Sequence, residues 1–273
     1  MQHNIGPSIY QEMLYELKKD VLYIKRIPEK LQTEEVSLYV IKKDIKLFKY
    51  IKNKTFNVCI EALKIDPQSL KYISNPTIEM CRLAVSNRPC TIQYIDNPTE
   101  EICHLALNAN GNYLQYINKQ TENLCKLAVY TSPISLQYVH NQTEQICLIA
   151  VKKGGQSLQY VKQQTNEICL AAVKENPLAL RFVKQQNDEI CCEAVKQNGM
   201  ALKYVKEQQI NICDMAIKQN PDALQYVRKN IKEFRAIAIK YILNNLKKDK
   251  NYLSKLTDKY LKNIVIKILT KSL

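Results

Sequence analysis

Residues 165–186, TNEICLAAVKENPLALRFVKQQ, carry apolar residues at two different spacings. Ile168, Cys169, Ala172 and Val173 fall at i, i+1, i+4 and i+5, one stripe along an α-helix of about ten residues. Thr165 suits the N-cap, where its hydroxyl accepts from an otherwise unpaired backbone N–H. Glu167 in the first turn suits the positive end of the helix dipole. Asn176-Pro177 stops this helix and opens the next, because proline disfavours helix before it and tolerates the first turn. Leu180, Phe182 and Val183 then predict a second helix of about seven or eight residues. Lys184-Gln185-Gln186 leads to the next cap.

The pattern returns every 22 residues. Cysteine stands at Cys59, Cys81, Cys103, Cys125, Cys147, Cys169, Cys191 and Cys213. Alanine follows three residues later at Ala62, Ala84, Ala106, Ala128, Ala150, Ala172, Ala194 and Ala216. The caps are Thr55, Thr77, Thr99, Thr121, Thr143 and Thr165, then the weaker Asn187 and Gln209. The mid-unit break is Pro67, Pro89, Gly111, Pro133, Gly155, Pro177, Gly199 and Pro221. An aromatic closes each second helix: Tyr72, Tyr94, Tyr116, Tyr138, Tyr160, Phe182, Tyr204 and Tyr226. A fixed period of this size marks a repeat array, in which no unit buries its apolar face alone.

The expected fold is therefore all-α: an α-solenoid of about nine 22-residue helix-turn-helix repeats with helical caps at both ends. The array is expected over 33–230. Within it, 33–54 is a degenerate unit with Ser37 in the cysteine place and Val40 in the alanine place, and 55–230 holds eight regular units. Residues 1–32 read as an N-terminal helical cap and 231–273 as a basic helical C-terminal cap, with Phe234 and Ala238 still in register. First helices are expected on one face and second helices on the other. Alanine at the centre of the first helix lets neighbouring helices approach to about 8 Å. Cysteine is small and apolar enough for the same contact.

Charge is unevenly spread. The chain of 273 residues carries +14 overall. Residues 1–54 hold 11 Lys/Arg against 7 Asp/Glu, residues 55–228 hold 17 against 16, and residues 229–273 hold 12 against 3. A protein gripping nucleic acid along its whole length would be basic along its whole length. Two lysine lines recur with the period: Lys152, Lys174, Lys196, Lys218 and Lys240, and Lys162, Lys184, Lys206 and Arg228. With Arg181 and Lys203, they are the candidate interaction surface. Variable positions on the second helix (Lys71, Gln93, Gln115, Gln137, Gln159 and Gln225) extend it.

Catalysis finds little support. One thiol per unit at about 8–10 Å intervals cannot converge on a metal or form disulfides, which need Cα atoms within about 7 Å. The eight regular cysteines and alanines read as structural core. Only His3, His104 and His140 are available as bases, and His104 points about 100° away from Cys103 on a helix. Cys90 and Cys192 are off the ladder and are the thiols expected at the surface. The nearly constant Leu-x-Tyr-Val/Ile reads as packing, since base-reading repeat proteins vary at their reading positions. No catalytic, cofactor or metal site is expected.

TEEICHLALNANG, TNEICLAAVKENPLALRFVKQQ and IPEKLQTEEV resemble a family of short helical repeats of unknown function, abundant in giant DNA viruses of amoebae and present in protists and bacteria. The resemblance covers about 27–230, with Asn187 and Gln209 departing from the cap pattern. It implies no activity and transfers no catalytic residue. The expected function is a non-catalytic scaffold for protein–protein interaction, a viral factor engaging a host or viral protein. The alternative is nucleic-acid binding through the basic C-terminal half. MQHNIGPSIYQEM is no secretory signal, and no run of about 18 apolar residues exists. Unpaired thiols then point to an intracellular location, in host cytoplasm or virion.

Overall fold

A computed structural model describes residues 7–228 and 231–271. His3 lies outside them, as does the 229–230 boundary of the repeat array. The chain forms two compact parts, Met1–Thr131 and Ser132–Leu273. Within each, units of about 22 residues stack as an all-α solenoid. The described residues contain no strand, and no helix among them is long and apolar enough to cross a membrane.

The first part contains α1 (Pro7–Lys19), α2 (Glu34–Lys43), α3 (Phe56–Ile65), α4 (Ile78–Asn87), α5 (Glu100–Ala109) and α6 (Glu122–Thr131). The second contains α7 (Glu144–Lys153), α8 (Asn166–Glu175), α9 (Asp188–Gln197), α10 (Ile210–Gln219), α11 (Ile231–Leu246), α12 (Tyr252–Lys255) and α13 (Lys259–Lys271). Each helix from α3 to α10 spans ten residues. The threonine hydroxyls cap them; Thr165 Oγ1 accepts from Ile168 N at 3.3 Å. Asn187 also caps, accepting from Ile190 N at 2.9 Å. Gln209 makes no cap, and its Nε2 donates instead to Asp188 Oδ1 at 2.7 Å.

The second element of each unit is shorter than the seven or eight residues expected. It is a six-residue 3₁₀ helix, as in Pro177–Phe182 and Gly199–Tyr204. Two local features hold it to this form. Where the residue before the segment is Asn or Asp, its side chain bonds two positions ahead, as Asn176 Oδ1 accepts from Leu178 N at 3.0 Å. The residue after it closes the last turn, Val183 N donating to Leu180 O at 3.1 Å. At three residues per turn Leu180 and Val183 share one edge, and both are buried.

Packing follows the period. Helices α7 to α10 pack each on the next, and the 3₁₀ segments between them do likewise. The cysteine, alanine and following aliphatic of each first helix are buried, and every ladder alanine is fully enclosed. At Gly155 a Cβ would lie 2.3 Å from Ala172 O, and at Gly111 one would lie 2.0 Å from Ala128 O. The helix backbone at those alanines therefore touches the preceding 3₁₀ segment with no side chain between. The Gly155 N–H donates to the Glu175 carboxylate, and Gly199 N donates to Gln219 Oε1 at 2.6 Å. Proline, which fills the equivalent place in the intervening units, has no such N–H to satisfy. From Pro89 to Pro221 the two residue types alternate without a break.

Candidate interaction surface

The loop before each first helix carries a glutamine that clasps successive units of the second part. Gln186 lies between Lys184-Gln185 and the cap Asn187. Its Nε2 donates to Leu180 O (3.3 Å) in its own unit and to Tyr204 O (2.9 Å) in the next. Its Oε1 accepts from Lys206 N (2.8 Å) and from the Cys191 thiol (3.6 Å). That is the full capacity of a carboxamide, two bonds given and two accepted. Gln142 and Gln164 repeat all four bonds, and Gln208 repeats the three to Leu202 O, Tyr226 O and Arg228 N. In the first part the same place holds Gln32, whose Oε1 accepts from Lys52 N at 2.7 Å, but then Lys54, Pro76 and Pro98.

Six ladder cysteines have a polar partner five residues back. Cys59 and Cys103 donate to the carbonyl oxygens of Lys54 and Pro98, five residues back, where Cys125 and Cys147 meet a glutamine. Burial pushes the Cys103 thiol up to about 11, with the Glu100 charge adding. Burial, then Cys192 and Asp188, raises Cys191 to about 11 as well. Burial raises the other six ladder thiols in the same direction. They stay protonated donors at neutral pH rather than nucleophiles. The folded state holds these protons more tightly than the unfolded chain. The stabilisation is complete below the ordinary thiol range and is lost as pH climbs from there towards about 11. On alkylation at pH 8 with mass-spectrometric readout, half-buried Cys90 and Cys192 should be modified in the native protein, and the ladder thiols only after unfolding. Modification of Cys169 at the rate of Cys192 would contradict the assignment.

Ser37 shows what the cysteine contributes. It occupies the cysteine place in the degenerate unit, is fully buried, and its Oγ has no hydrogen-bond partner. Gln32 lies five residues before it, the place from which other units offer an acceptor. The shorter hydroxyl does not reach. Ser37→Cys should therefore stabilise the protein by about 1 kcal/mol, a rise of about 2–4 °C in Tm, by thermal unfolding under reducing conditions. A lower Tm would refute this account.

The two lysine lines differ in environment. The second is tied to the backbone: Lys162 Nζ donates to His140 O (3.0 Å), Lys184 Nζ to Lys162 O (2.9 Å), Lys206 Nζ to Lys184 O (2.6 Å) and Arg228 to Lys206 O (3.0 Å). Each cation reaches the equivalent residue one unit back. In the first line, Lys152, Lys174, Lys196, Lys218 and Lys240 are all exposed. Lys218 pairs with Asp214 at 2.6 Å, an exposed pair that holds it weakly. The other four have no ion-pair or hydrogen-bond partner among the described residues. Carboxylates stand among them: Lys152 and Lys174 line a depression with Glu167, Leu170, Ala171 and Glu175.

The remaining candidates lie on the 3₁₀ segments. Arg181 sits 4.4 Å over the Phe182 ring, and Lys203 lies 5.7 Å from Tyr204 and 5.9 Å from Tyr226. Gln115, Gln159 and Gln225 donate to carbonyls three residues back. His104 is exposed, 3.9 Å from Glu100. Asp222 had no sequence signal. It is buried and accepts from Thr257 N (2.9 Å), Thr257 Oγ1 (2.7 Å) and Asp258 N (3.0 Å), pinning the start of α13 to the last 3₁₀ segment.

Comparison with known families gives three overlapping matches to a model described as "Domain of unknown function (DUF4116)", at residues 143–187, 165–208 and 187–232. These windows advance by one structural unit and contain Gln164, Gln186 and Gln208. No curated protein and no solved structure matches the chain.

Proposed function

We propose that this protein is a non-catalytic scaffold that binds a partner protein along the face carrying Lys152, Lys174, Lys196 and Lys218. The carrying observation is the contrast between the two lysine lines. One is occupied in joining units; the other stands exposed and largely unpaired, once per unit, with carboxylates interspersed. A mixed-sign stripe complements a protein surface better than a polyphosphate, which the carboxylates repel. The protonated ladder thiols and the exposed, carboxylate-paired His104 support the absence of catalysis in this reading. Ten unpaired cysteines suit a reducing compartment such as cytoplasm. The resemblance to repeats of giant viruses fits a viral factor with a host or viral partner.

Nucleic-acid binding is the second reading, favoured by the 12 Lys/Arg against 3 Asp/Glu in residues 229–273. Two measurements on the full chain decide. Cross-linked partners should be captured about 30-fold less well by the Lys152→Ala/Lys174→Ala/Lys196→Ala/Lys218→Ala variant, about 0.5 kcal/mol per charge. Anisotropy with duplex DNA and single-stranded RNA at about 50 mM salt should show no saturable binding. Undiminished capture by the variant, or tight salt-sensitive nucleic-acid binding, would sink the proposal.

A further inference from the structure

An open, mainly apolar groove lies between α11 and α13 in the second part. It encloses about 660 Å³ and is lined by Ile239, Leu243, Leu246, Ile268 and Leu269, with Lys240 and Lys247 among its lining residues. Its apolar lining is Ala236, Ile239, Leu243 and Leu246 from α11 with Ile268 and Leu269 from α13. Leu261 and Val265 lie on one stripe and are fully buried, but the same stripe continues to Ile268, which is 36 % exposed. Leu269 and Ile266 are exposed beside it, at 39 % and 44 %. Large exposed apolar residues elsewhere among the described residues occur at most two to an element, whereas α13 has three within four positions. Such a cluster marks an interaction site.

We propose that this groove takes an acidic amphipathic helix of a partner protein. The proposal rests on the scaffold reading above and names a partner class for it. Two observations specify the occupant. The floor is apolar and concave, which suits leucine-sized side chains at i, i+3 or i+4, and i+7 of an inserted helix. The charges among its lining residues are all positive, and Lys240 and Lys247 stand seven residues apart, about 10.5 Å along α11. Carboxylates two turns apart on the partner helix would match them. Of the three carboxylates in residues 229–273, Asp249 pairs with Lys255 at 2.7 Å, Asp258 caps Leu261 N at 3.0 Å, and Glu233 lies in the first turn of α11, outside the groove. A second copy of the chain would bring two strongly basic C-terminal regions together. A bilayer surface does not fill a concavity, and nucleic acid gains nothing from the apolar floor.

The test uses the full chain and three labelled 18-residue helical peptides: one with leucines at i, i+3 and i+7 flanked by glutamates seven apart, a scramble of it, and a lysine-for-glutamate version. Anisotropy should show saturable binding of the first below about 100 µM and at least tenfold weaker binding of the other two. Leu269→Asp should weaken it at least tenfold, and Lys240→Glu/Lys247→Glu similarly, with unchanged melting temperatures. Equal binding of the scramble, preference for the lysine peptide, or no binding of any would overturn the proposal. So would pelleting with phosphatidylserine vesicles or dimerisation in ultracentrifugation, if Leu269→Asp abolished either. Failure here with capture still dependent on Lys152 to Lys218 would remove the groove and leave the scaffold standing.

Discussion

Replacing Ala150 by leucine should lower the melting temperature by about 10 °C, while Lys152→Ala should leave it within a degree or two. The two residues lie half a turn apart on α7 and differ in what surrounds them. Ala150 is fully enclosed, and its carbonyl accepts from Gly154 N at 2.9 Å, closing the helix end. The equivalent Ala172 lies at a close contact between units, since a Cβ on Gly155 would come within 2.3 Å of its carbonyl oxygen. The Ala150 side chain is fully enclosed, so three added carbons must displace packed neighbours. Overpacking of this kind costs about 3 kcal/mol or more, and in a chain of this size each kcal/mol moves Tm by about 2–4 °C. Lys152 is exposed and touches no partner. Comparable shifts for the two variants in differential scanning calorimetry would show that the alanine ladder is not the seam between units.

Gln186→Ala should cost about 2–4 kcal/mol, against less than about 0.5 kcal/mol for Gln185→Ala. Adjacent residues of the same type make this a controlled comparison. Truncating Gln186 leaves Leu180 O without its second donor, Tyr204 O without its clasp, and Lys206 N and the Cys191 thiol without an acceptor. Water reaches only part of this region, so several groups lose a partner at once. Gln185 is exposed and supports none of these bonds. Chemical denaturation midpoints at constant slope measure the difference. A loss shared equally by both variants would mean that the carboxamide bonds do not hold the units together.

The first helices were legible because three signals coincide at each: cap, apolar stripe and small residue at fixed spacing. The second element was not, because Pro-x-x-Leu-x-Tyr-Val over six residues satisfies an α-helix and a 3₁₀ helix alike. Its form is the same in units without the clasp, as Pro67–Tyr72 and Pro89–Tyr94 show, and what those units share with the rest is the closing bond from the residue after the segment, such as Ile73 N to Leu70 O at 3.0 Å. The clasp is hidden in the sequence because glutamine in a loop reads as solvent-exposed. Its signal was available in the recurrence of Gln120, Gln142, Gln164, Gln186 and Gln208, but Lys54, Pro76 and Pro98 interrupt it in the first part. For the surface, the sequence located both lysine lines and could not distinguish them, since charge at a fixed spacing does not reveal which ammonium finds a carbonyl. Asp222 carried no signal, because the place it occupies holds Leu178 and Met200 in the two preceding units.

The alternation of glycine and proline reaches beyond stability. Like turns already stand side by side at Pro67 and Pro89, so neighbouring turns need not differ, but Gly155 and Gly199 each carry an N–H whose acceptor, Glu175 or Gln219, lies in the following unit. A glycine-bearing unit transplanted elsewhere in the array would therefore keep that bond only if the unit after it travelled with it.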